Sequence, residues 1–414
     1  MVDLLELLQE SDQIVLRRLR MSGQAWIVGG WVRDALSGLE VEDLDIATTL
    51  KPNEVAEIFP RSIMVGEIYG TVRVRLDEPL EEDKMWEVTT LRTEGGYGDG
   101  RRPDNVEFGE LIETDLARRD FTINAIAIDD SGGLIDPFGG IGDLEEGVLR
   151  SVGDASERIG EDGLRILRTF RFLDWGERGT RSLDEGLEEA VRTNLEMLDR
   201  VSKERIWSEI SRILSLKNVS AIVDKMGDCG VFREIFTGIS LNVGVEFSDS
   251  SLVNLALLCS ADDRGGKELA EELRSLLRIS NDEAAAVGFL HNCRGVELAN
   301  DPGSVRRFRA ALPGERQIDL LAYITGLGRD VSDFVETLNS TGALIAGNAP
   351  LVDGNLLSSE TGLDGGVRLG RLKAWLHRRQ IEEDIGEKEE ILSMLEEIHW
   401  EEGDPEKWPI LSWP

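Results

Sequence analysis

Two aspartates separated by one residue are the first feature of the chain that could carry chemistry. Asp43 and Asp45 flank Leu44, and the run from Leu44 to Ala47 can form a short strand. Alternate side chains of a strand point to the same side, so both carboxylates would face one way while Leu44 faces the core. Two close carboxylates repel each other unless a cation lies between them. Such oxygen ligands favour Mg²⁺ held together with substrate phosphates, so the pair predicts a magnesium site.

A glycine pair upstream could bind phosphate. Gly29 and Gly30 follow the apolar run Ala25–Val28 and precede a helical pattern. Glycines let backbone N–H groups at a helix N-terminus approach a triphosphate. Arg33 could add a charged fork to the phosphates, and Asp34 is expected to be structural and to hold Arg33. A tight turn without a ligand remains the alternative at this point.

A third carboxylate lies on a later strand pattern. Glu87 stands in the alternating run Trp86–Leu91, and such alternation predicts a strand. If that strand lies beside the aspartate pair, Glu87 is a candidate third ligand. The alternative is an ordinary surface residue of the same strand.

The elements that must position these residues divide the chain in two. Up to about residue 150 the sequence predicts short strands and helices, including a strand at Asp45–Thr48, a helix starting at Pro52, a strand at Thr71–Leu76 and a mobile glycine-rich loop at 94–105. Beyond residue 150, helical spacing prevails to the end. The acidic stretch 380–405 keeps regularly spaced apolar residues, so a helix with a solvated face is expected there.

Bulk composition fits a soluble cytoplasmic protein. The chain has 414 residues, enough for two to four domains, and 41% are hydrophobic. No apolar run approaches the roughly 18 residues of a membrane span. The acidic N-terminus does not resemble a signal peptide. Three cysteines and three histidines, all dispersed, predict neither disulfides nor a zinc site.

Charge is the unusual bulk feature. Acidic residues number 80 against 46 basic ones, which gives a net charge of −34. Such a field repels polyanions, so any contact with nucleic acid must come from local arginine clusters. Adaptation to high salt explains the acidic surface, because salt screens the repulsion. Two basic patches offer candidate RNA contacts, and each patch could equally be an intramolecular ion-pair face. The candidate contacts are Arg306, Arg307, Arg309, Arg371, Lys373, Trp375, Arg378 and Arg379.

Ordered motifs along almost the whole chain resemble one family, the class II tRNA CCA-adding enzymes with their bacterial poly(A) polymerase relatives. The motifs are GGWVRD from Gly29, DLD from Asp43, RRDFTINA from Arg118, DPFGG from Asp136, EDGLRILRTFRF from Glu161 and VSKERI from Val201. Shorter matches lie near the C-terminus at Gly354–Leu357 and at Leu369-Gly370.

The resemblance implies an α+β fold, with a polymerase-β-type nucleotidyltransferase head followed by an all-α neck, body and tail. The corresponding domains would be residues 1–147 (head), 148–215 (neck with the nucleotide-reading motif), 216–310 (body) and 311–414 (tail that binds tRNA). By position, Gly30, Arg33 and Arg119 match triphosphate-contacting residues of the family, and Asp43 and Asp45 match its metal ligands.

The same resemblance assigns nucleotide contacts to the motif that begins at Glu161. Asp162 and Arg165 match the pair that reads the incoming base, and Arg168 and Arg171 match further contacts. Three residues apart on a helix, Asp162 and Arg165 would be neighbours. A carboxylate accepts from an amino group and a guanidinium donates to a ring acceptor, which suits the edges of both C and A.

The implied reaction adds C, C and A to the 3′ end of tRNA from CTP and ATP, with two Mg²⁺ ions and Glu87 as a further ligand. Two segments favour this over related activities. Residues 92–105 keep the full length of the family's loop, which a CC-adding enzyme would lack in part, and residues 66–72 resemble the tRNA-specific segment. The alternatives are an A-adding, CC-adding or poly(A) enzyme, or an inactive RNA-binding protein. The partner would be the acceptor end of tRNA, and the oligomeric state stays open.

Overall fold

The computed structural model describes residues 4–41, 43–65, 70–77, 84–95 and 105–414, with side chains left out at 93–95 and 105–107. Two predicted features lie partly outside these ranges: Arg101 and Arg102 of the glycine-rich loop, and residues 66–69 of the tRNA-type segment. The described chain divides into two compact units, Met1–Thr237 with Leu276–Arg278, and Gly238–Ser275 with Ile279–Pro414. The four-part division made from the sequence stays a prediction.

The strands lie almost entirely in the first 150 residues. They are β1 (Ala25–Val28), β2 (Asp45–Thr48), β3 (Ile63–Met64), β4 (Thr71–Val74), β5 (Trp86–Thr90), β6 (Arg92–Gly95), β7 (Asn105–Phe108), β8 (Ala127–Ile128), β9 (Leu134–Ile135), β10 (Val148–Leu149) and β11 (Ser182–Leu183). Seven of them form one sheet in the order β3-β4-β5-β2-β1-β8-β9. The expected strands at Ala25, Asp45, Thr71 and Trp86 are confirmed.

Helices supply the rest of the first unit. They are α1 (Glu10–Arg20), α2 (Gly30–Leu36), α3 (Pro52–Ile58), α4 (Ile112–Ala117), α5 (Gly140–Glu146), α6 (Ala155–Glu161), α7 (Leu164–Leu173), α8 (Glu185–Thr193), α9 (Lys203–Ile213), α10 (Val219–Asp228) and α11 (Val231–Ile235). Short 3₁₀ turns lie at Leu4–Leu7, Thr122–Asn124, Gly176–Arg178 and Leu195–Arg200. Helix α2 starts after the glycine pair and α3 starts at Pro52, as predicted.

The later part of the chain is helical. Its helices are α12 (Ser251–Leu258), α13 (Gly266–Leu277), α14 (Asn281–Asn292), α15 (Pro302–Ala311), α16 (Gly314–Gly326), α17 (Ser332–Ser340), α18 (Gly354–Thr361), α19 (Val367–Glu383) and α20 (Lys388–Ser393), with 3₁₀ turns at Met394–Glu396 and Pro405–Lys407. The acidic stretch is indeed helical, but it is broken at Asp384, which has a left-handed φ of 57°. Ile385, Ile391 and Ile398 are buried in its apolar cluster.

Strands occur in two places where the sequence did not predict them: at the two ends of the glycine-rich loop and in the neck. The predicted mobile loop 94–105 is bounded by the antiparallel strands β6 and β7, which pair from Arg92 with Phe108 to Gly95 with Asn105. The predicted all-α neck contains β11, which runs parallel to β10. A pairing of two residues leaves too short an apolar pattern to recognise in the sequence.

The core of the sheet explains where polar residues emerge. Strand β1 is buried along its whole length, and β5 alternates buried and half-exposed positions. Trp26 and Val28 of β1 pack with Leu116 of α4 and with Ala127 of β8 in one apolar cluster. Polar side chains therefore collect at the end of β1 and the start of β2. Within the described ranges, none of the helices combines the length and apolar character that a membrane span requires.

Candidate active site

One cavity of about 700 Å³ in the first unit, called here the arginine-lined cavity, collects ten of the eleven predicted site residues. Its lining residues are Gly29, Gly30, Arg33, Asp43, Asp45, Arg118, Arg119, Asp120, Asn124, Asp162, Leu164, Arg165, Arg168, Arg171, Phe172, Arg205 and Arg212. Eight arginines face four aspartates, so the lining is cationic in a chain of net charge −34. Such a lining suits a polyanionic ligand.

Strand register places the glycine turn against the aspartate pair. Strands β1 and β2 are antiparallel, with Val28 opposite Asp45, so Gly29 lies next to Asp45. Gly29 has a φ of +76°, a region that residues with a Cβ rarely adopt. A Cβ there would lie 3.0 Å from Asp45 Oδ2 and 3.2 Å from Arg119 Nη1. Both the backbone and the packing therefore require glycine.

Asp43 and Asp45 form an electrostatically strained pair. Burial raises the pKa of Asp45 to about 6, the Arg119 guanidinium opposes the rise, and the charges of Glu87 and Asp43 add to it. Among the described residues, no side chain donates a hydrogen bond to the Asp45 carboxylate. A divalent cation would relieve this repulsion, and the carboxylate oxygens are hard ligands that fit Mg²⁺. No group of three or more potential ligand side chains occurs among the described residues, so phosphates and water would complete the shell.

Glu87 is adjacent to the pair but differently engaged. Strands β2 and β5 are parallel, with Glu87 opposite Asp45, so the predicted proximity of the strand is confirmed. The Glu87 carboxylate, however, accepts hydrogen bonds from Arg73 Nε at 2.8 Å and Nη2 at 2.6 Å. It is not among the residues that line the arginine-lined cavity. Its role as a third metal ligand stays a prediction.

Arg33 is oriented by two partners. Its Nε and Nη2 both donate to the Asp34 carboxylate at 2.8 Å, and its Nη1 donates to Asn124 Oδ1 at 2.8 Å. The prediction that Asp34 holds Arg33 is confirmed. Asn124 in turn donates to Asp120 Oδ1 at 3.0 Å. The first residues of α2 and the 3₁₀ turn at Thr122–Asn124 are thereby connected.

Arg119 is held by a buried carboxylate on α4. Asp115 is 1% exposed and accepts from Arg118 Nη2 at 2.6 Å and from Arg119 Nη2 at 3.3 Å. Arg119 Nη1 also donates to the Asn124 carbonyl at 3.4 Å, whereas its buried Nε has no hydrogen-bond partner. The contacts aim this guanidinium at the space between Gly29 and Asp45.

The expected helical neighbours Asp162 and Arg165 are arranged differently from the prediction. Asp162 is not on the helix but between α6 and α7, with an extended backbone (φ −149°, ψ 107°). Its carboxylate accepts from Arg205 Nη2 at 2.7 Å and from the Leu164 amide at 3.0 Å. The prediction of a shared helix is wrong because the extended backbone of Asp162 itself separates α6, which ends at Glu161, from α7, which begins at Leu164.

Arg165 lies on α7 and is fixed by three acceptors. Its Nη1 donates to the Arg158 carbonyl at 2.8 Å and to Glu161 Oε2 at 2.6 Å, and its Nη2 donates to the Arg118 carbonyl at 3.1 Å. The guanidinium is thus tied to both α6 and the RRD motif. The side chains of Arg165 and Asp162 share no hydrogen bond, although the Arg165 amide donates to the Asp162 carbonyl at 3.0 Å. Both residues line the same cavity.

The remaining predicted arginines are each paired with a buried acid. Arg168 Nε donates to Asp120 Oδ2 at 2.7 Å, and Arg171 Nε donates to Glu209 Oε2 at 2.7 Å. Burial acts to raise the pKa of Asp120, but Arg168 and the hydrogen bond from Asn124 outweigh it and hold that pKa at about 2. Asp120 therefore stays ionised and orients Arg168.

Seven lining residues were not predicted as site residues. Six of them belong to motifs recognised in the sequence: Arg118, Asp120, Asn124, Leu164, Phe172 and Arg205. The seventh, Arg212, stands seven residues after Arg205 on α9. A seven-residue spacing puts two side chains on one helix face, and that signal could have found Arg212.

The basic patches named as candidate RNA contacts are mostly ion-pair or capping residues of the second unit. Arg307 and Arg378 bind the Glu382 carboxylate, at 3.4 Å and 2.8 Å. Arg306 lies 3.7 Å from Asp384, Arg379 pairs with Glu383, and Arg309 donates to the carbonyls of Thr341 and Gly342. The alternative of an intramolecular ion-pair face is confirmed for Arg306, Arg307, Arg378 and Arg379. Within the described ranges, Arg371 and Lys373 form no ion pair.

Comparison with known proteins matches both the head and the region behind it. Residues 25–150 match the poly(A) polymerase head domain, and residues 182–241 match the probable RNA- and SrmB-binding site of polymerase A. The chain is 32% identical over 387 residues to the CCA-adding enzyme of Lactobacillus johnsonii, covering 92% of this chain and 94% of that protein. It belongs to the CCA-adding enzyme family.

Two further family members show how the similarity is distributed. The CCA-adding enzyme of Geobacillus kaustophilus is 42% identical over 219 residues, a segment that spans about half of each protein (53% and 52%). The crystal structure of the Bacillus stearothermophilus CCA-adding enzyme in complex with CTP has a TM-score of 0.78 and 26% identity, covering 94% of this chain and 98% of that one. These matches confirm the predicted resemblance. They also confirm that this member of the CCA-adding enzyme family has a nucleotidyltransferase head followed by a largely helical remainder.

Proposed function

We propose that this chain adds C, C and A to the 3′ end of tRNA, using CTP and ATP and releasing pyrophosphate. The observation that carries the proposal is the arginine-lined cavity, where a carboxylate pair and eight arginines meet in one space. Carboxylates and guanidiniums that line one cavity suit a nucleoside triphosphate bound with a metal. The solved relative bound to CTP supports the choice of substrate. tRNA as substrate supports the predicted cytoplasmic location.

Asp43 and Asp45 are the proposed ligands of Mg²⁺. When bound, the metal lowers the pKa of the attacking hydroxyl and stabilises charge on the transferring phosphate. Gly30 offers its backbone N–H at the start of α2, and Arg33 and Arg119 offer guanidinium groups to the leaving pyrophosphate. The 3′ oxygen then bonds to the α-phosphorus as the bond to pyrophosphate breaks. Glu87 could join the aspartates only by leaving Arg73.

Asp162 and Arg165 are the proposed readers of the base. A carboxylate offers about four lone-pair sites, and Asp162 uses two of them, for Arg205 and the Leu164 amide. A guanidinium has about five N–H donors, and Arg165 uses three of them. Both groups thus keep capacity for a base edge with an amino donor beside an acceptor, which C and A share.

The alternatives differ in product rather than in chemistry. An A-adding, CC-adding or poly(A) enzyme would use the same carboxylates and arginines. The relative that is 32% identical and matches along nearly its whole length is named a CCA-adding enzyme. This relative favours addition of all three nucleotides, C, C and A. An inactive RNA-binding protein would have no need for a half-buried Asp45 with a raised pKa beside the glycine turn.

Product sequencing tests the proposal. The purified protein receives Mg²⁺, CTP and ATP with three tRNAs, ending at the discriminator base, in C and in CC. We expect three, two and one added nucleotides, each completing CCA, and no addition by Asp43→Ala. Addition of C alone, of A alone or of a long A tail would identify the corresponding alternative, and no incorporation at all would contradict the proposal.

A further inference from the structure

Three arginines of the arginine-lined cavity contact one aromatic ring. The guanidinium carbons of Arg33, Arg168 and Arg171 lie 5.1, 5.2 and 4.3 Å from the centroid of the Phe172 ring. All three distances are within the roughly 6 Å reach of a cation–π interaction. Arg33 comes from α2, whereas the other three residues belong to α7. One side chain therefore joins cations from two separate elements.

Each of these guanidiniums has its own carboxylate besides the shared ring. Arg33 binds Asp34, Arg168 binds Asp120, and Arg171 binds Glu209. For Arg168 and Arg171 the ring adds a second restraint to that of the carboxylate, because a guanidinium prefers to lie against an aromatic face. Arg33 is restrained by Asn124 as well, and the ring aligns it with the other two. The unused N–H groups are then presented to the cavity in fixed directions.

Three like charges around one ring are costly unless something compensates them. Burial lowers the pKa of Arg171, and the charge of Arg168 lowers it further, against the opposing effect of Glu209. The negative face of an aromatic ring offsets part of this repulsion. A bound polyanion would offset the rest. The arrangement is therefore suited to a polyphosphate.

Phe172 is itself fixed in place. It is 8% exposed and packs edge-on against Phe121, with ring centroids 5.5 Å apart and an interplanar angle of 69°. Its carbonyl accepts a hydrogen bond from Arg181 Nη1 at 2.9 Å, a contact that secures the end of α7. A ring held by its neighbours can define the position of the cations that contact it.

We propose that Phe172 is a positioning residue that holds Arg33, Arg168 and Arg171 as one binding group for the polyphosphate of the incoming nucleotide. The proposal rests on the proposed function, since it takes the cavity to bind nucleoside triphosphates. It deepens that function by separating recognition of the phosphates from recognition of the base. Phe172 acts through the arginines and needs no contact with the substrate.

Calorimetric titration with inorganic tripolyphosphate, without added metal, tests the phosphate site apart from base and catalysis. We expect Phe172→Leu to weaken tripolyphosphate binding about tenfold, and Phe172→Tyr, which keeps the ring, to recover most of that affinity. Phe170→Leu is the matched control. Phe170 lies on the same helix, is fully buried and does not line the cavity, so its loss lowers the melting temperature without moving the arginines.

Enzyme kinetics supply the second measurement. For Phe172→Leu we expect a higher KM for CTP, a smaller change in kcat and an unchanged preference for CTP over UTP. The inference would be overturned if Phe172→Leu bound tripolyphosphate as tightly as the unaltered protein does. It would also be overturned if Phe170→Leu lost as much tripolyphosphate affinity as Phe172→Leu. Failure of Phe172→Tyr to recover affinity would do the same. If the unaltered protein binds no tripolyphosphate, the inference is also overturned, whereas the proposed function fails only if the product-sequencing experiment shows no incorporation.

Discussion

The Asp162 carboxylate accepts a hydrogen bond from Arg205 at 2.7 Å and none from Arg165, its expected partner in reading the base. Arg205 comes from α9, which packs against α7. The orientation of the proposed reading carboxylate is thus set by a residue of another motif. One Asp162 oxygen is fixed by that guanidinium and the other by the Leu164 amide. Base selection should therefore depend on α9.

Arg205→Ala should relax base selection. Without the guanidinium, Asp162 keeps only its backbone contact, and a hydrogen bond between charged groups contributes about 1.5–3 kcal/mol. We expect the preference for CTP over UTP, measured as the ratio of kcat/KM values, to fall about tenfold. Arg212→Ala is the control, because Arg212 lines the same cavity from the same helix but makes no contact with Asp162. An equal loss of preference in both variants would contradict this account.

Gly29→Ala and Gly38→Ala form a matched pair. Both glycines have positive φ, +76° and +70°, but a Cβ at Gly38 would meet nothing within 4 Å. Both substitutions should lower the free energy of unfolding through backbone strain, by about 1–3 kcal/mol each. Only Gly29→Ala should also displace Asp45 and Arg119, and reduce the rate of nucleotide addition by about 100-fold. Comparable activity in the two folded variants would show that the close approach of residue 29 to Asp45 and Arg119 does not matter for nucleotide addition.

Asp45→Asn should stabilise the metal-free protein at neutral pH. The folded pKa of Asp45 is raised from 3.8 to about 6, so the stability that this group contributes is complete below about pH 4 and lost as the pH rises through 6. Denaturant unfolding should show the variant to be more stable at about pH 7.5, by at most about 3 kcal/mol. The difference should shrink towards pH 4. A less stable variant at neutral pH would be inconsistent with a strained carboxylate.

The same substitution should remove stabilisation by magnesium. Mg²⁺ binds the ionised carboxylate, so it should raise the melting temperature of the unaltered protein above about pH 6 and have little effect on Asp45→Asn. Thermal unfolding with and without MgCl₂ measures both. Equal stabilisation of the two proteins would place the metal elsewhere.

Salt should affect the fold and the cavity in opposite directions. The net charge of −34 makes the folded chain repel itself, so KCl from about 0.1 M to 2 M should raise the melting temperature. The arginine-lined cavity is cationic, so the same salt should raise the KM for CTP. Activity assayed at saturating CTP is expected to tolerate or need high salt. A steady loss of that activity from low to molar KCl, with no rise anywhere, would argue against adaptation to salt.

Local sequence patterns predicted most of the secondary-structure elements and most of the candidate site residues. The alternation in Trp86–Thr90, the apolar run Ala25–Val28 and the proline at residue 52 specify local structure, because strand periodicity and helix starts are properties of neighbouring residues. The ordered motifs then pointed to ten of the seventeen residues that line the cavity. Local pattern and motif order were sufficient for these.

The pairing of charges depends on the fold. Asp162 and Arg205 are separated by 43 positions, and Arg168 and Asp120 by 48. In a chain with 80 acidic residues, no sequence rule selects one carboxylate for each arginine. Packing of α7 against α9 selects it, because an ion pair forms between groups that the fold brings together. For the same reason, the position of Phe172 in the sequence does not indicate that its ring contacts three guanidinium groups; the fold brings them together.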